Sequence, residues 1–336
     1  MKLSICIPNF NRADHLNNCL NSILISSKNI KNLKFEVCIS DNNSNENIAN
    51  IVKKYESLID IKFKKNKKNL GFALNAIESV KMAQGSYAWL IGNDDLLLPE
   101  TLSELEKIFE ENSDVEYFFI NSYFLHSEKL KNFAKPVNTK EILTNNLKSI
   151  SNLSIDKRCT FWDVIDPKVT WDFLIGIFLS VFKREKWLKN LYILNEDDIN
   201  DSTPWSNFDN TCIHPKLLSK SFKDSKSYIC SKPLSINLIG VREWASLYEF
   251  IEIVRIPELI KYYRSEGLPL WKYLYCKNYS LRNFLNFFFK ILIGGRKSGL
   301  HLVNFKAHFL SNLIYPNSYL SFFYYFLRLF KSKINF

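Results

Sequence analysis

The sequence predicts an α/β fold: a mainly parallel sheet with helices, followed by a helical, basic and aromatic C-terminal segment. Three observations carry this. Short apolar runs alternate with helically spaced segments through roughly the first 120 residues, the rhythm of a sheet whose strands are joined by helical crossovers. Polar residues cluster where those runs stop, and in a parallel sheet ligands sit beyond the carboxyl ends of the strands. From Lys261 onward there are 12 Lys and Arg against one acid, Glu266, whereas residues 1–260 hold 33 basic and 33 acidic side chains. The net charge of +11 therefore belongs to the tail.

Leu3–Ile7 is a short apolar strand, and Asp14–Leu24 spaces Leu16, Leu20, Ile23 and Leu24 as one face of a helix. Phe35–Ser40 reads as the second strand, with a polar helix from Asn45 to about Tyr55. Ile59–Phe63 is the third strand and Phe72–Met82 a helix; Tyr87–Ile91 is the fourth. A helix begins near Pro99, a residue favoured in a first turn, and runs to Phe109 before a fifth strand at Glu116–Asn121. Residues 122–165 are weakly patterned and read as loop with some helix. Phe173–Phe182 is an apolar run ending in Lys183-Arg184-Glu185-Lys186, and an acidic stretch covers Asn195–Asp209. Helical spacing returns over Thr211–Phe222, and Tyr228–Ile236 reads as strand.

With 336 residues, 46% hydrophobic and 24% charged, the composition is globular and large enough for two ordinary domains. Nine Gly and ten Pro exclude collagen-like and linker-rich chains. Seven cysteines without a C-x-x-C pair read as reduced thiols in a cytosolic protein. The chain enters a strand at once, so no signal peptide is expected. Neither G-x-G-x-x-G nor G-K-[ST] occurs, which excludes the common dinucleotide and P-loop cradles.

The tail holds 21 of the 50 aromatic residues. Its apolar stretches, Leu281–Ile293 and Phe309–Phe330, are interrupted by Arg282 and Lys290, and by Asn312, Pro316, Asn317 and Arg328. Helices lying in a membrane interface are the expectation, with Phe287, Phe288, Phe289, Phe322, Phe323 and Phe326 inserted and the cations facing anionic headgroups. The competing reading is an ordinary helical unit whose aromatics form its own core. Nucleic acid is not expected as a partner, because the cations are not set among Gly or exposed polar residues.

Four strand ends stand together: Pro8-Asn9-Phe10-Asn11-Arg12, Asp41-Asn42-Asn43-Ser44, Asn69-Leu70-Gly71-Phe72-Ala73-Leu74-Asn75, and Gly92-Asn93-Asp94-Asp95. Adjacent acids at the end of a buried strand repel each other unless a cation or hydrogen-bond donors neutralise them. Oxygen-only ligands suit Mg²⁺ or Mn²⁺, with waters and substrate phosphates completing the shell. The alternative is that Asp94 and Asp95 only favour the start of the next helix. Asp41 can accept hydrogen bonds from a base or a ribose, or else cap the polar helix that follows it.

Leu3–Arg12, Cys38–Ser44, Asn69–Asn75 and Ala83–Pro99 resemble, in order and spacing, the nucleotide-binding half of family 2 glycosyltransferases, particularly the bacterial surface-polysaccharide type. The resemblance implies a GT-A fold, a nucleoside-diphosphate sugar donor with a UDP-sugar first among the candidates, Mn²⁺ or Mg²⁺, and inversion at the anomeric carbon. It places the nucleoside on Pro8, Asn9 and Asp41, with Asn69, Gly71 and Asn75 bordering it, counts Asn11, Arg12, Asn43 and Asn93 as further donor-binding residues, and puts the metal on Asp94 and Asp95. One departure is Gly92, which stands where the family's first D-x-D acid would be; that contact is lost or passes to Asp95.

The resemblance divides the chain into a glycosyltransferase domain at 1–240, with nucleotide-sugar binding at 1–120 and the acceptor side at 121–240, and a helical membrane-associating region at 241–336. Inverting transfer needs a carboxylate to take the proton of the attacking hydroxyl. Position after the Val181–Glu185 turn points to Asp209, with the Glu196-Asp197-Asp198 cluster, Glu196 at its head, as the alternative. His214, in a Cys212-Ile213-His214-Pro215 phrase, could stabilise charge on the diphosphate or serve only as packing. Trp171, Asp172 and Trp205 are candidates for sugar contact. The expected acceptor is a hydroxyl of a lipid-linked, lipopolysaccharide-type or capsule glycan at the cytoplasmic face of an inner membrane. A sugar-1-phosphate nucleotidyltransferase, or a non-catalytic membrane- or RNA-binding protein on the same sheet, are the competing functions.

Overall fold

The computed structural model describes residues 2–203, 205–240 and 245–323. One sheet organises the molecule. Its strands are β1 (Lys2–Asn9), β2 (Lys34–Asp41), β3 (Ile61–Lys65), β4 (Tyr87–Leu90), β5 (Leu96–Leu97), β6 (Tyr117–His126), β7 (Lys148–Ser149), β8 (Lys157–Thr160), β9 (Ser180–Lys183) and β10 (Lys226–Ile239). The main order is β3-β2-β1-β4-β9-β6-β10-β5, with β7 on β6 and β8 on β10. β1 pairs in parallel with β2 and β4, β2 with β3, and β6 with β10, while β9 runs antiparallel between β4 and β6. The six longer strands other than β9 therefore point one way, and their carboxyl ends share an edge.

β1 and β4 read as unbroken apolar runs because helices cover both faces of the sheet. Leu3, Ile5, Ile7, Val37, Ile39, Trp89 and Leu90 are fully buried. Helices Ala13–Ser27, Gly71–Lys81 and Thr101–Glu111 supply Leu16, Leu20, Ile77, Val80, Leu102 and Leu105 to the same core.

The end of the Phe173–Phe182 run forms β9, inserted between β4 and β6. One expectation needs correction: residues 122–165 are more regular than their pattern suggests. β6 continues to His126, and β7 and β8 pair with β6 and β10.

The C-terminal segment packs on the body rather than hanging from it. Ile256, Leu259, Ile260, Tyr263, Leu268 and Cys276 join the main core. Phe250, Val254, Leu281, Phe284, Phe288, Ile291 and Tyr315 form a second core. Phe288 is only 7% exposed, and Phe287 packs against that second core, so these two are not available for insertion. Phe289, Phe322 and Phe323 are exposed, and Phe326 lies outside the described residues. Among the described residues no helix is long and apolar enough to cross a membrane.

Candidate active site

At the shared carboxyl edge, β1 ends in Asn9, which is fully buried. Its Nδ2 donates to Asp41 Oδ1 at 2.9 Å, and its Oδ1 accepts from Asn93 Nδ2 at 2.8 Å. One amide thus ties the end of β2 to the turn after β4. Asp41 also accepts from the Ser44 hydroxyl and from the Ser44 N–H at 3.2 Å. A recess of about 260 Å³ opens beside it, walled by Phe63, Lys65, Asn45 and Glu46.

Asn11 and Arg12 both sit in the left-handed region, with φ of 52° and 61°, which turns the chain sharply from β1 into the following helix. Glu46 holds that turn: its carboxylate accepts the N–H of Arg12 at 2.9 Å and of Ala13 at 2.5 Å. An acid there also complements the helix dipole. The Arg12 guanidinium then lies 3.6 Å from Asp94 Oδ2.

Asn42 clasps the turn that precedes helix Gly71–Lys81. Its Nδ2 donates to Asn69 Oδ1 at 2.7 Å and its Oδ1 accepts from Leu70 N at 2.7 Å. Gly71 has φ +77°, and a Cβ there would lie 3.1 Å from Ser202 Cα, so the loop of Asp201 and Ser202 rests directly on this turn. Asn75 joins Asn66 to the carbonyl of Asn9.

The Gly92 departure has a steric reason. A Cβ at this position would meet Asp94 Oδ1 at 2.6 Å and Asp95 Oδ2 at 3.1 Å. With no side chain in the way, the Gly92 N–H donates to Asp95 Oδ2 at 2.7 Å. Asn237 of β10 donates to the other oxygen at 2.8 Å. Both acids line the large cavity, but Asp95 is committed to bracing the turn, whereas Asp94 faces Arg12.

That cavity, about 760 Å³, runs along the sheet edge from Pro8, Arg12 and Asp94 to His126 and Lys148, with Trp171, Trp205 and Tyr248 also in its walls. His214 lines it, buried against Phe182, and neither ring nitrogen has a hydrogen-bond partner among the described residues. Burial pushes its pKa down to about 3, so the ring is neutral.

Asp209, Glu196 and Asn43 are not brought into the cavity. Asp209 accepts from Lys216 Nζ at 2.7 and 2.8 Å and from the Asn195 N–H at 2.6 Å, and the cavity-lining residues do not include it. A carboxylate closed by a lysine and an amide is a structural pair, not a free proton acceptor. Glu196 is exposed in the first turn of the short helix Glu196–Asn200, and Asn43 is exposed. Three acids that the sequence did not single out as the base do reach the cavity. Asp172 accepts from Thr170, Leu174 and Gly176; Glu252 pairs with Arg282 at 3.2 Å; Asp201 lies on the loop against Gly71.

Residues 4–161 match the model of the glycosyl transferase family 2. The chain carries a family 2 glycosyltransferase domain. Over 117 residues it is 35% identical to abequosyltransferase RfbV of Salmonella typhimurium, covering 34% of each chain. Over 115 residues it is 33% identical to the poly(ribitol-phosphate) β-N-acetylglucosaminyltransferase TarP of Staphylococcus aureus, covering 33% of this chain and 34% of TarP. The aligned part thus spans about a third of these curated relatives. The crystal structure of S. aureus TarS with UDP-GlcNAc superposes with a TM-score of 0.57 at 15% identity, over 93% of this chain and 80% of that one. The likeness extends the GT-A fold across nearly the whole molecule, well beyond the family match.

Some functional positions had weak signals. Asn237 is a polar residue inside an apolar strand, which is informative because burying an amide requires a partner. Glu46 stands in a polar stretch with nothing to distinguish it. Arg255 is buried and donates to the carbonyls of Trp205 and Ser206 at 3.0 and 2.8 Å, bracing the loop over the cavity. Only the folded chain brings it there.

Proposed function

We propose that this chain is an inverting glycosyltransferase that moves a sugar from a nucleoside-diphosphate donor to a hydroxyl of a cell-surface glycan, working at the cytoplasmic face of an anionic membrane. The observation that carries this reading is the unbroken polar path Asp41–Asn9–Asn93, which leads to Asp94 at the wall of a cavity large enough for donor and acceptor. The nucleoside lies at the Asp41 end and the diphosphate beside Arg12 and Asp94. UDP is the favoured nucleotide, supported by TarS, whose structures contain UDP and UDP-GlcNAc. The printed activities of RfbV and TarP support a surface glycan as acceptor.

No group of three or more His, Cys, Asp or Glu side chains suited to a metal ion occurs among the described residues. A divalent ion held by one carboxylate plus substrate phosphates is nonetheless an ordinary Mg²⁺ or Mn²⁺ arrangement. Asp94 fits that role; Asp95, closed by Gly92 and Asn237, does not. Bound there, the ion would supply charge neutralisation for the departing diphosphate. Arg12 adds a fixed positive charge on the same side, and the neutral His214 offers one N–H to a developing oxyanion.

Asp201 is the proposed base. Among the cavity acids it is the one on the loop that rests on the donor-side turn. Hydrogen bonds from Ser206 and Thr203 lower its pKa, which keeps it ionised at neutral pH at some cost in basicity.

The test is UDP release from a panel of UDP-sugars with Mn²⁺, with and without glycan acceptor. Asp94→Asn should lower turnover about 10²–10³-fold with every donor accepted by the parent protein. Asp201→Asn should lower transfer about 10²–10⁴-fold while donor affinity stays within twofold. Equal turnover by Asp94→Asn and the parent protein would overturn the assignment.

A further inference from the structure

The far end of the cavity, beyond the place assigned to the diphosphate, carries a second feature. His126 is the last residue of β6, Lys129 sits on the turn Ser127–Leu130 directly after it, and Lys148 lies on β7, paired across from Phe124 of β6. All three line the large cavity and all three are exposed. This wall is built rather than loose. β7 is held by its ladder to β6, and the turn is pinned by Leu130, which is buried with Leu125, Val137, Leu96 and Ile236 in a small core of its own.

The acids that share the cavity do not neutralise this wall. Asp172 is satisfied by Thr170 and two backbone N–H groups, and Glu252 faces Arg282 and Asn283. Asp201 accepts from Ser206 and Thr203, and Asp94 faces Arg12. Neither lysine forms an ion pair with a described residue. Asp95 of the Asp94 turn reaches Asn237 of β10, whose ladder partner is Phe124 of β6, and Lys148 pairs with Phe124 from the far side, so Lys148 stands two strand spacings, about 10 Å, from that anchor of the turn. β6 and β7 lie on the opposite side of β4 from β2 and its Asp41, which is the side left for the acceptor in the proposed reaction.

We infer that His126, Lys129 and Lys148 form an acceptor subsite for an anionic glycan, one that carries a phosphate within about one sugar residue of the hydroxyl that is glycosylated. The inference rests on the glycosyltransferase reading and narrows its acceptor class. Two exposed lysines on a cavity wall attract a phosphate while leaving it hydrated, which suits an acceptor that must enter and leave. The phosphate could belong to a phosphodiester in the glycan backbone or to the diphosphate of a lipid carrier. The chemistry is shared, and the two sources differ in where the lipid is.

The experiment compares the parent protein with the double variants Lys129→Glu/Lys148→Glu and Lys129→Gln/Lys148→Gln, with Mn²⁺ and the preferred UDP-sugar. Three acceptors are offered: a water-soluble poly(ribitol phosphate), a diphosphate-linked oligosaccharide lipid in neutral phosphatidylcholine vesicles, and a neutral oligosaccharide matching the latter's sugar portion. UDP release without acceptor reports whether the donor site works at all. A failure of the glycosyltransferase reading therefore shows in every variant, whereas a failure of the subsite shows only in transfer. The expected result is that the Glu variant raises KM for one phosphate-bearing acceptor about tenfold, the Gln variant about threefold, and raised salt erases the difference. Acceptor-independent UDP release should stay unchanged. Loss confined to the soluble polymer assigns a backbone phosphodiester; loss confined to the vesicle acceptor assigns the carrier diphosphate. Equal KM in all three proteins, or preference for the neutral oligosaccharide, would overturn the inference.

Discussion

Gly92 shows how a single missing side chain can set the chemistry of a site. The turn after β4 must fit two carboxylates and an amide into one bend, and the space a Cβ would fill is taken by Asp94 and Asp95 oxygens at 2.6 and 3.1 Å. The residue types there are not interchangeable: Asp95 locks the turn, Asn93 links it to Asn9, and Asp94 meets the cavity. Gly92→Ala should therefore cost about 1–3 kcal/mol in overpacking and reorient Asp94. In a urea melt its midpoint should fall, and donor affinity should fall with it. A variant as stable and active as the parent protein would show that the turn relaxes freely.

At the scale of elements, the two edges of the sheet do opposite jobs. The carboxyl edge gathers the polar groups of the candidate site, whereas the amino edge spends a carboxylate on structure. Glu36 of β2, fully buried, receives Ser4 Oγ of β1 at 2.7 Å, Gln84 N at 2.6 Å and Gly85 N at 3.0 Å. Lys2 and Lys62 lie 2.9 and 2.8 Å from its other oxygen, so one side chain joins β1, β2, β3 and the approach to β4. Burial favours the neutral acid, but the hydrogen bonds from Lys62, Ser4, Lys2 and Gln84 outweigh it and bring the pKa down to about 2. Since the folded value lies below the unfolded one of roughly 4.3, the stabilisation is complete above about pH 5 and is lost as pH falls towards 2. Glu36→Gln should lower the melting temperature at pH 7 and flatten the decline between pH 5 and 3. An unchanged acid slope would mean that other carboxylates govern it. A second clasp works between elements: His308 meets Glu258 at 3.0 Å, Glu258 pairs with Arg255 at 2.7 Å, and Arg255 holds the Trp205 and Ser206 carbonyls. The C-terminal segment is thereby tied to the loop that carries Asp201.

For the whole molecule, the tail divides between core and surface. Part of it is core, as Phe284, Phe288 and Ile291 show, and part is surface. Trp271 at 68%, Ile293 at 88%, Ile314 at 79% and Phe323 at 64% are exposed on a segment with a large excess of Lys and Arg. Exposed apolar groups on a strongly cationic segment suit an anionic bilayer. Deleting the segment would strip Tyr263, Leu268 and Cys276 from the main core, so point substitutions make the cleaner probe. Trp271→Ser/Ile293→Ser should reduce flotation with phosphatidylglycerol-containing vesicles severalfold, leave UDP release intact, and have no effect with phosphatidylcholine alone. Unchanged flotation would remove the membrane from the account.

The strand–helix rhythm, the polar strand ends and the charge break at Lys261 were legible in the sequence because each is local, written in runs of a few residues whose period or composition is set by burial. Asn9, Asp41 and Asp94 could be found the same way, since a parallel sheet obliges strand ends to meet. The pairing of Asp209 with Lys216, the commitment of Asp95 to Asn237, and the insertion of β9 between β4 and β6 are relations between segments far apart or separated by irregular chain. No local pattern encodes them. Whether an acid is a free base or half of a closed ion pair depends on which donors the folded chain brings within 3 Å, and that was decided by tertiary packing alone.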